Sequence, residues 1–181
     1  MKTTNHKKTD DYWRPDFRSE KVSTIDFKKL KKEGIDSVAI DIDGTLVAGI
    51  FDMVVSQEFI DFLKKSKESK DIKKIFVATN RWNFAAERIA EQISADGLVC
   101  AKAFQRKPMQ GYYQRLLDVM DTEPEKCLMV GDRLWQDIYG GNRLGMKTLL
   151  VDDFGPPQWY DILFFRRWRQ NRRLKKLKLD K

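Results

Sequence analysis

The chain has 181 residues, 41% of them hydrophobic, which suits one globular domain with a sizeable core and leaves no room for a second catalytic domain. No apolar run approaches the roughly 18 residues of a membrane-crossing helix, and the N-terminus lacks the apolar stretch of a secretory signal, so a protein kept inside the cell is expected. The net charge of +8 is a property of the end of the chain, where residues 158–181 hold nine Lys/Arg against two acids; the single histidine, His6, argues against zinc or Ser-His-Asp chemistry.

Residues 1–21 read as a polar leader, disordered over the first ten, in which Tyr12, Trp13 and Phe17 are the candidate anchors. Thr24 to Gly34 reads as a short helix capped near Thr24. The first strand follows, Val38-Ala39-Ile40, and runs into Asp41-Ile42-Asp43-Gly44-Thr45. Ser56 caps a helix with Phe59, Ile60 and Leu63 at helical spacing. Lys73 to Ala78 is the second strand, ending in Thr79-Asn80-Arg81, and a helix from about Asn83 presents Ala86, Ile89 and Ile93 on one face. Leu98 to Ala101 is the third strand. Pro108, after Lys107, is expected at the first position of the next helix, with Tyr112, Leu116 and Met120 as its apolar face. Cys127 to Val130 is the fourth strand, ending in Gly131-Asp132-Arg133, with a helix from about Leu134 to Leu144 and a fifth strand over 147–151. Both cysteines, Cys100 and Cys127, fall in apolar runs, as buried reduced thiols do.

Strands separated by helices predict right-handed crossovers, an open and mostly parallel sheet of five strands, and a three-layer αβα sandwich. In such sheets ligands bind beyond the carboxyl ends of the strands, where the strand order reverses. The polar residues cluster at those ends: Asp41 and Asp43, Thr79 and Asn80, Lys107, then Asp132. Two acids at the exit of a buried strand are costly unless a cation or a proton donor meets them, and Mg²⁺ is the usual hard cation. Acids and glycine also simply end strands and begin turns. Gathered at one rim, however, three acids, a threonine, an amide and a lysine suit a phosphoryl group: the cations offset its charge, one carboxylate attacks phosphorus, and a second handles the proton.

In these segments the chain resembles the haloacid dehalogenase (HAD) superfamily of phosphohydrolases, whose four motifs match in order at Asp41-Ile42-Asp43-Gly44-Thr45, Thr79, Lys107, and Gly131-Asp132 with Asp137 five positions on. The resemblance implies a Rossmann-like fold and Asp41 as nucleophile. It implies Asp43 as general acid/base, with its backbone carbonyl on Mg²⁺, and Thr79 and Lys107 on the transferring phosphoryl group. Asp132 then completes the metal shell, and Asp137 supports it or binds through water; Asn80 and Arg81 are further candidates for contact with phosphate or substrate. The intervals between motifs leave no space for a cap domain, which suits an open site and large or surface-bound substrates. From Pro15-Asp16-Phe17 to the first strand, and over Gly131 to Arg143, the chain is similar to the YqeG-like branch of subfamily IIIA, related to phosphatidylglycerophosphate phosphatases. It departs at Gly44 and Arg133, where asparagine and glutamine are common. Gly140-Gly141 reads as a packing feature.

Residues 158–181 combine Trp159, Tyr160, Ile162, Leu163, Phe164, Phe165 and Trp168 with Arg and Lys, a composition suited to an anionic membrane surface. The same aromatics equally suit packing on the domain, with the basic end solvated. Three readings follow: a Mg²⁺-dependent phosphatase for a lipid phosphomonoester, such as phosphatidylglycerophosphate, at the inner face of the membrane; a capless phosphatase for nucleic-acid ends or phosphoproteins; and a non-catalytic polyanion-binding adaptor. The boundaries expected are 1–21 for the leader, 22–157 for the phosphatase domain and 158–181 for the tail.

Overall fold

A computed structural model describes residues 10–155 and 166–179; His6 and the aromatics from Trp159 to Phe165 lie outside the described residues. The sheet has six parallel strands in the order β1-β6-β5-β2-β3-β4, with β1 Phe17–Ser19, β2 Ser37–Ile40, β3 Lys74–Ala78, β4 Gly97–Val99, β5 Cys127–Gly131 and β6 Lys147–Val151. It is open, as expected, but has one more strand than the sequence predicts. The extra strand, β1, comes from the stretch read as a leader and pairs Phe17 with Leu149 and Ser19 with Val151. Three residues on an edge, one of them Arg18, carry too little alternation to stand out. Tertiary contacts hold β1 in place. Thr148 donates its backbone N–H to Asp16 Oδ2 at 3.0 Å, and the Asn142 amide donates to the carbonyls of Tyr12 and Arg14, both at 2.9 Å.

Successive strand residues point to opposite faces, and the two faces carry separate cores. On one, Val38, Ile40, Ile75, Val77, Leu128 and Val130 pack with α1 Phe27–Lys32, α2 Gln57–Glu68 and α3 Asn83–Gln92. On the other, Ala39, Phe76, Ala78 and Met129 pack with Tyr112, Tyr113, Leu116 and Met120 of α4 Gln110–Met120. The near-continuous apolar runs follow from burial on both sides. Ser56 accepts from the backbone N–H of Phe59 and caps α2 as predicted, whereas the cap of α1 is Asp26 and not Thr24, because Asp26 Oδ1 accepts from Lys29 N at 2.9 Å. Pro108 lies outside α4, which starts two residues later behind the N-cap Met109.

The segment expected as one helix over 134–144 is a π-helical turn, Leu134–Tyr139, continuing into a short α5, Gly140–Arg143. Gly140 works as the packing feature predicted: a Cβ there would sit 2.3 Å from the Tyr113 ring. The last described helix, α6 Arg166–Lys176, rests on the domain. Leu174 packs against Leu134, Ile138 and Leu150 together with Trp13, and Leu177 is buried. Arg173 lies over the Trp13 ring at 3.7 Å, and Trp13 stacks on Trp135 at 5.3 Å. Among the described residues no helix is long and apolar enough to cross a membrane.

Candidate active site

From β2 the chain goes to β3 and β4 on one side of the sheet, while β5 and β6 lie on the other, so the order reverses at β2. Asp41 is the first residue beyond β2, and its N–H donates to Val130 O at 2.9 Å, continuing the ladder to β5. The chain then turns tightly, with Gly44 N bonded to Val47 O at 2.8 Å and Leu46 N to Ile42 O at 2.9 Å. Gly44 has φ +76°, and a Cβ there would lie 2.7 Å from Asp132 Oδ2, so glycine admits both the turn and the approach of the second acid.

Lys107 stands at the centre. Its ammonium is buried, 2.7 Å from Asp41 Oδ1 and 2.6 Å from Asp137 Oδ1. Burial pulls the lysine toward neutrality, but the facing Asp137 and Asp41 outweigh it and hold its pKa above the ordinary value. Asn80 fixes the backbone that carries this side chain, accepting from Lys107 N at 2.9 Å and donating to Lys107 O at 3.1 Å.

Asp41, Asp132 and Asp137 each bring a carboxylate oxygen within 4.8 Å of the others, all three side chains being buried. Asp132 Oδ1 has no hydrogen-bond partner, while Asp137 Oδ2 accepts from Arg133 N at 3.1 Å. Burial raises the pKa of Asp132 well above the carboxylate range, against the pull of Arg133, and the neighbouring acids add to the rise. Burial likewise pushes Asp137 up to about 6 even with Lys107 in contact. Closely spaced, desolvated carboxylates with an orphaned oxygen are what a hard cation such as Mg²⁺ would satisfy, and the oxygen-only donor set suits it.

Of the residues expected from sequence, Asp41, Lys107, Asp132 and Asp137 meet here. The Asp43 carboxylate stands apart from the three acids: Arg81 Nε and Nη2 donate to its Oδ1 at 2.8 and 2.6 Å. Thr79 accepts from Arg81 N at 3.0 Å, and the Asn80 amide is engaged on both sides with the Lys107 backbone, so the two shape the turn and orient its neighbours. Arg81 also donates to the carbonyls of Gly49 and Asp52, a structural task that its position after Thr79-Asn80 does not announce. Gln170 of α6 was not legible as part of the site at all. It donates to Asp132 O at 2.7 Å and accepts from Leu134 N at 3.2 Å, bracing the motif that carries Asp132. A cleft of about 500 Å³ opens above these residues, lined by Asp41, Asp43, Asn80, Arg81, Trp82 and Arg133 among others.

Residues 104–153 match the HAD-hydrolase-like family. Over 141 residues, 77% of each chain, the sequence is 28% identical to the probable phosphatase YqeG of Bacillus subtilis. A shorter stretch of 44 residues, 24% of this chain and 18% of the relative, is 43% identical to the glyceraldehyde 3-phosphate phosphatase of Pyrococcus furiosus. Among solved structures, a haloacid dehalogenase-like hydrolase from Streptococcus pneumoniae superposes with a TM-score of 0.52 at 15% identity, covering 74% of this chain and 91% of that one. An uncharacterized protein from Listeria monocytogenes gives 0.52 at 18% identity over 69% and 87% of the two chains. These two share the fold. The chain is thus similar over residues 104–153 to HAD-hydrolase-like proteins and over 77% of its length to the probable phosphatase YqeG, and the ordered motifs that carry the likeness are the ones whose acids gather around Lys107.

Proposed function

We propose that the chain is a Mg²⁺-dependent phosphomonoester hydrolase that works through an aspartyl phosphate on Asp41 and takes a lipid phosphate, such as phosphatidylglycerophosphate, as substrate. The observation that carries the chemistry is the buried Lys107 ammonium between Asp41 and Asp137 with Asp132 beside them. Asp41 and Asp132 would hold the cation, with Asp137 supporting it and Asp43 contributing its backbone carbonyl. The ion's chemistry there is charge neutralisation on the phosphoryl oxygens.

The chain's own groups do the rest. Lys107 offsets the charge of the transferring phosphoryl group, with Thr79 at the same strand end. An Asp41 carboxylate oxygen forms a bond to phosphorus as the ester P–O bond breaks, and the leaving oxygen takes a proton from the Asp43 carboxyl. Asp43 then removes a proton from water, whose oxygen attacks phosphorus and releases inorganic phosphate from Asp41. Arg81 orients Asp43 for both steps.

The lipid reading rests on the open cleft and on the basic residues of 158–181, and it assigns the protein to the cytoplasmic face of a membrane. The test is phosphate release in Mg²⁺ across lipid phosphates, nucleotides, end-phosphorylated oligonucleotides, phosphopeptides and glyceraldehyde 3-phosphate. Turnover of the lipid, lost in Asp41→Asn, is the expected result. Turnover of the oligonucleotides or phosphopeptides alone would keep the chemistry and overturn the substrate.

A further inference from the structure

The large apolar side chains left exposed among the described residues are not scattered. All but Val119 lie on the segments beyond the carboxyl ends of the strands or on α6. Phe51 and Val54 follow β2, Trp82 and Phe84 follow β3, and Phe104 follows β4, with Trp82 and Phe104 each 91% exposed. Ile50, Trp82 and Phe84 line the cleft that contains Asp41 and so border the mouth of the active site, while Phe51, Val54 and Phe104 stand on segments beyond the same edge of the sheet. Soluble monomers rarely leave so much large apolar surface in one region unless something covers it.

Cations are interleaved with these side chains. Lys102 and Arg106 flank Phe104 and are exposed, and Arg133 is shared between the cleft and an adjoining groove whose other wall carries Arg169 and Arg172. Aromatic tips beside arginine and lysine are the composition that settles in the headgroup layer of an anionic bilayer.

We propose that this collar is a docking face for an anionic lipid bilayer, which the protein meets with its active-site mouth toward the headgroups. The inference deepens the reading of a lipid phosphate substrate and rests on it. Charge complementarity favours the bilayer, since Lys102 and Arg106 flank Phe104 and Arg106, Arg133, Arg169 and Arg172 line the cleft and the groove beside it. So does the placement of the tips on separate loops around an open cleft: a protein seated there would close the mouth, whereas a membrane presents headgroup phosphates to it.

The test uses the full chain and sedimentation with vesicles of phosphatidylcholine alone, or with about one third phosphatidylglycerol. Binding to the anionic vesicles is expected, at least about tenfold tighter than to neutral ones and weakened by salt. Combining Phe51→Ser with Phe104→Ser is expected to weaken that binding about tenfold or more while leaving the melting temperature unchanged. Asp41→Asn is expected to bind like the unmodified chain and release no phosphate, so docking and chemistry are read separately. Failure of the unmodified chain to sediment with anionic vesicles would overturn the proposal, as would undiminished binding by the double variant. A dimer that the double variant dissociates, without vesicle binding, would assign the face to a second copy and equally overturn it.

Discussion

Arg81 holds a single oxygen of Asp43 with two nitrogens, at 2.8 and 2.6 Å, while the same guanidinium donates to the carbonyls of Gly49 and Asp52. One planar cation thereby fixes the direction of the acid and ties down the loop beside it. Arg81→Met would take the guanidinium from a largely buried carboxylate and from the Asp52 carbonyl, while Gly49 O would keep only the N–H of Asp52. A loss of about 3 kcal/mol is expected in urea unfolding, with reduced phosphate release. Arg81→Lys is expected to recover little, because an ammonium cannot span acceptors set for a guanidinium fork.

Lys107 and Asp41 are expected to separate stability from catalysis. Lys107→Met strands Asp41 and Asp137 without their cation and is expected to cost about 3–5 kcal/mol, read by urea unfolding in EDTA. Asp41→Asn leaves Lys107 paired with Asp137 and lessens the repulsion among the acids. It is expected to keep the fold and lose at least about a thousandfold in turnover.

The buried acids give the metal-free protein a pH dependence of definite sign. Burial raises Asp132, and raises Asp137 from 3.8 to about 6, so the folded state binds protons more tightly than the unfolded chain does. Their contribution to stability is fully present below the unfolded value and is lost as pH rises through the folded one. Mg²⁺ competes with those protons and is expected to raise the melting temperature more at pH 7.5 than at pH 5. At a hundred times its Kd the ion contributes about 2.7 kcal/mol, or about 5–10 °C for a chain of this size. Calorimetry in EDTA and in Mg²⁺ at both pH values measures the difference.

Gly44→Ala is expected to harm both the fold and metal binding. Its Cβ would meet Asp132 Oδ2 at 2.7 Å, and its φ of +76° is one that alanine adopts only at a cost. A loss of about 3 kcal/mol is expected, together with a weaker stabilising effect of Mg²⁺, both read by thermal unfolding.

Gln170→Ala would remove two hydrogen bonds between α6 and the segment of Asp132 and Leu134. About 1–2 kcal/mol of destabilisation is expected, with faster hydrogen exchange at Leu134 N–H than in the unmodified chain. A variant that exchanged at the same rate would mean that α6 does not brace the motif.

The strands that carry the site stand out in the sequence because a parallel strand buried on both faces must be apolar throughout. A run such as Val38-Ala39-Ile40 followed by Asp41 and Asp43 therefore breaks its own pattern where the chemistry begins. By itself the sequence thus determined the alternation of strands and helices, the buried thiols Cys100 and Cys127, and the order of Asp41, Lys107 and Asp132 along the chain. Only the tertiary structure decided that Phe17–Ser19 adds a sixth strand, that Asp43 belongs to Arg81 and not to the group of three acids, and that Gln170 reaches back to Asp132. Periodicity is a property of neighbours in the chain and so can be read locally. Which donor satisfies a given carboxylate depends on crossovers that bring distant segments together, and local sequence does not encode those distances.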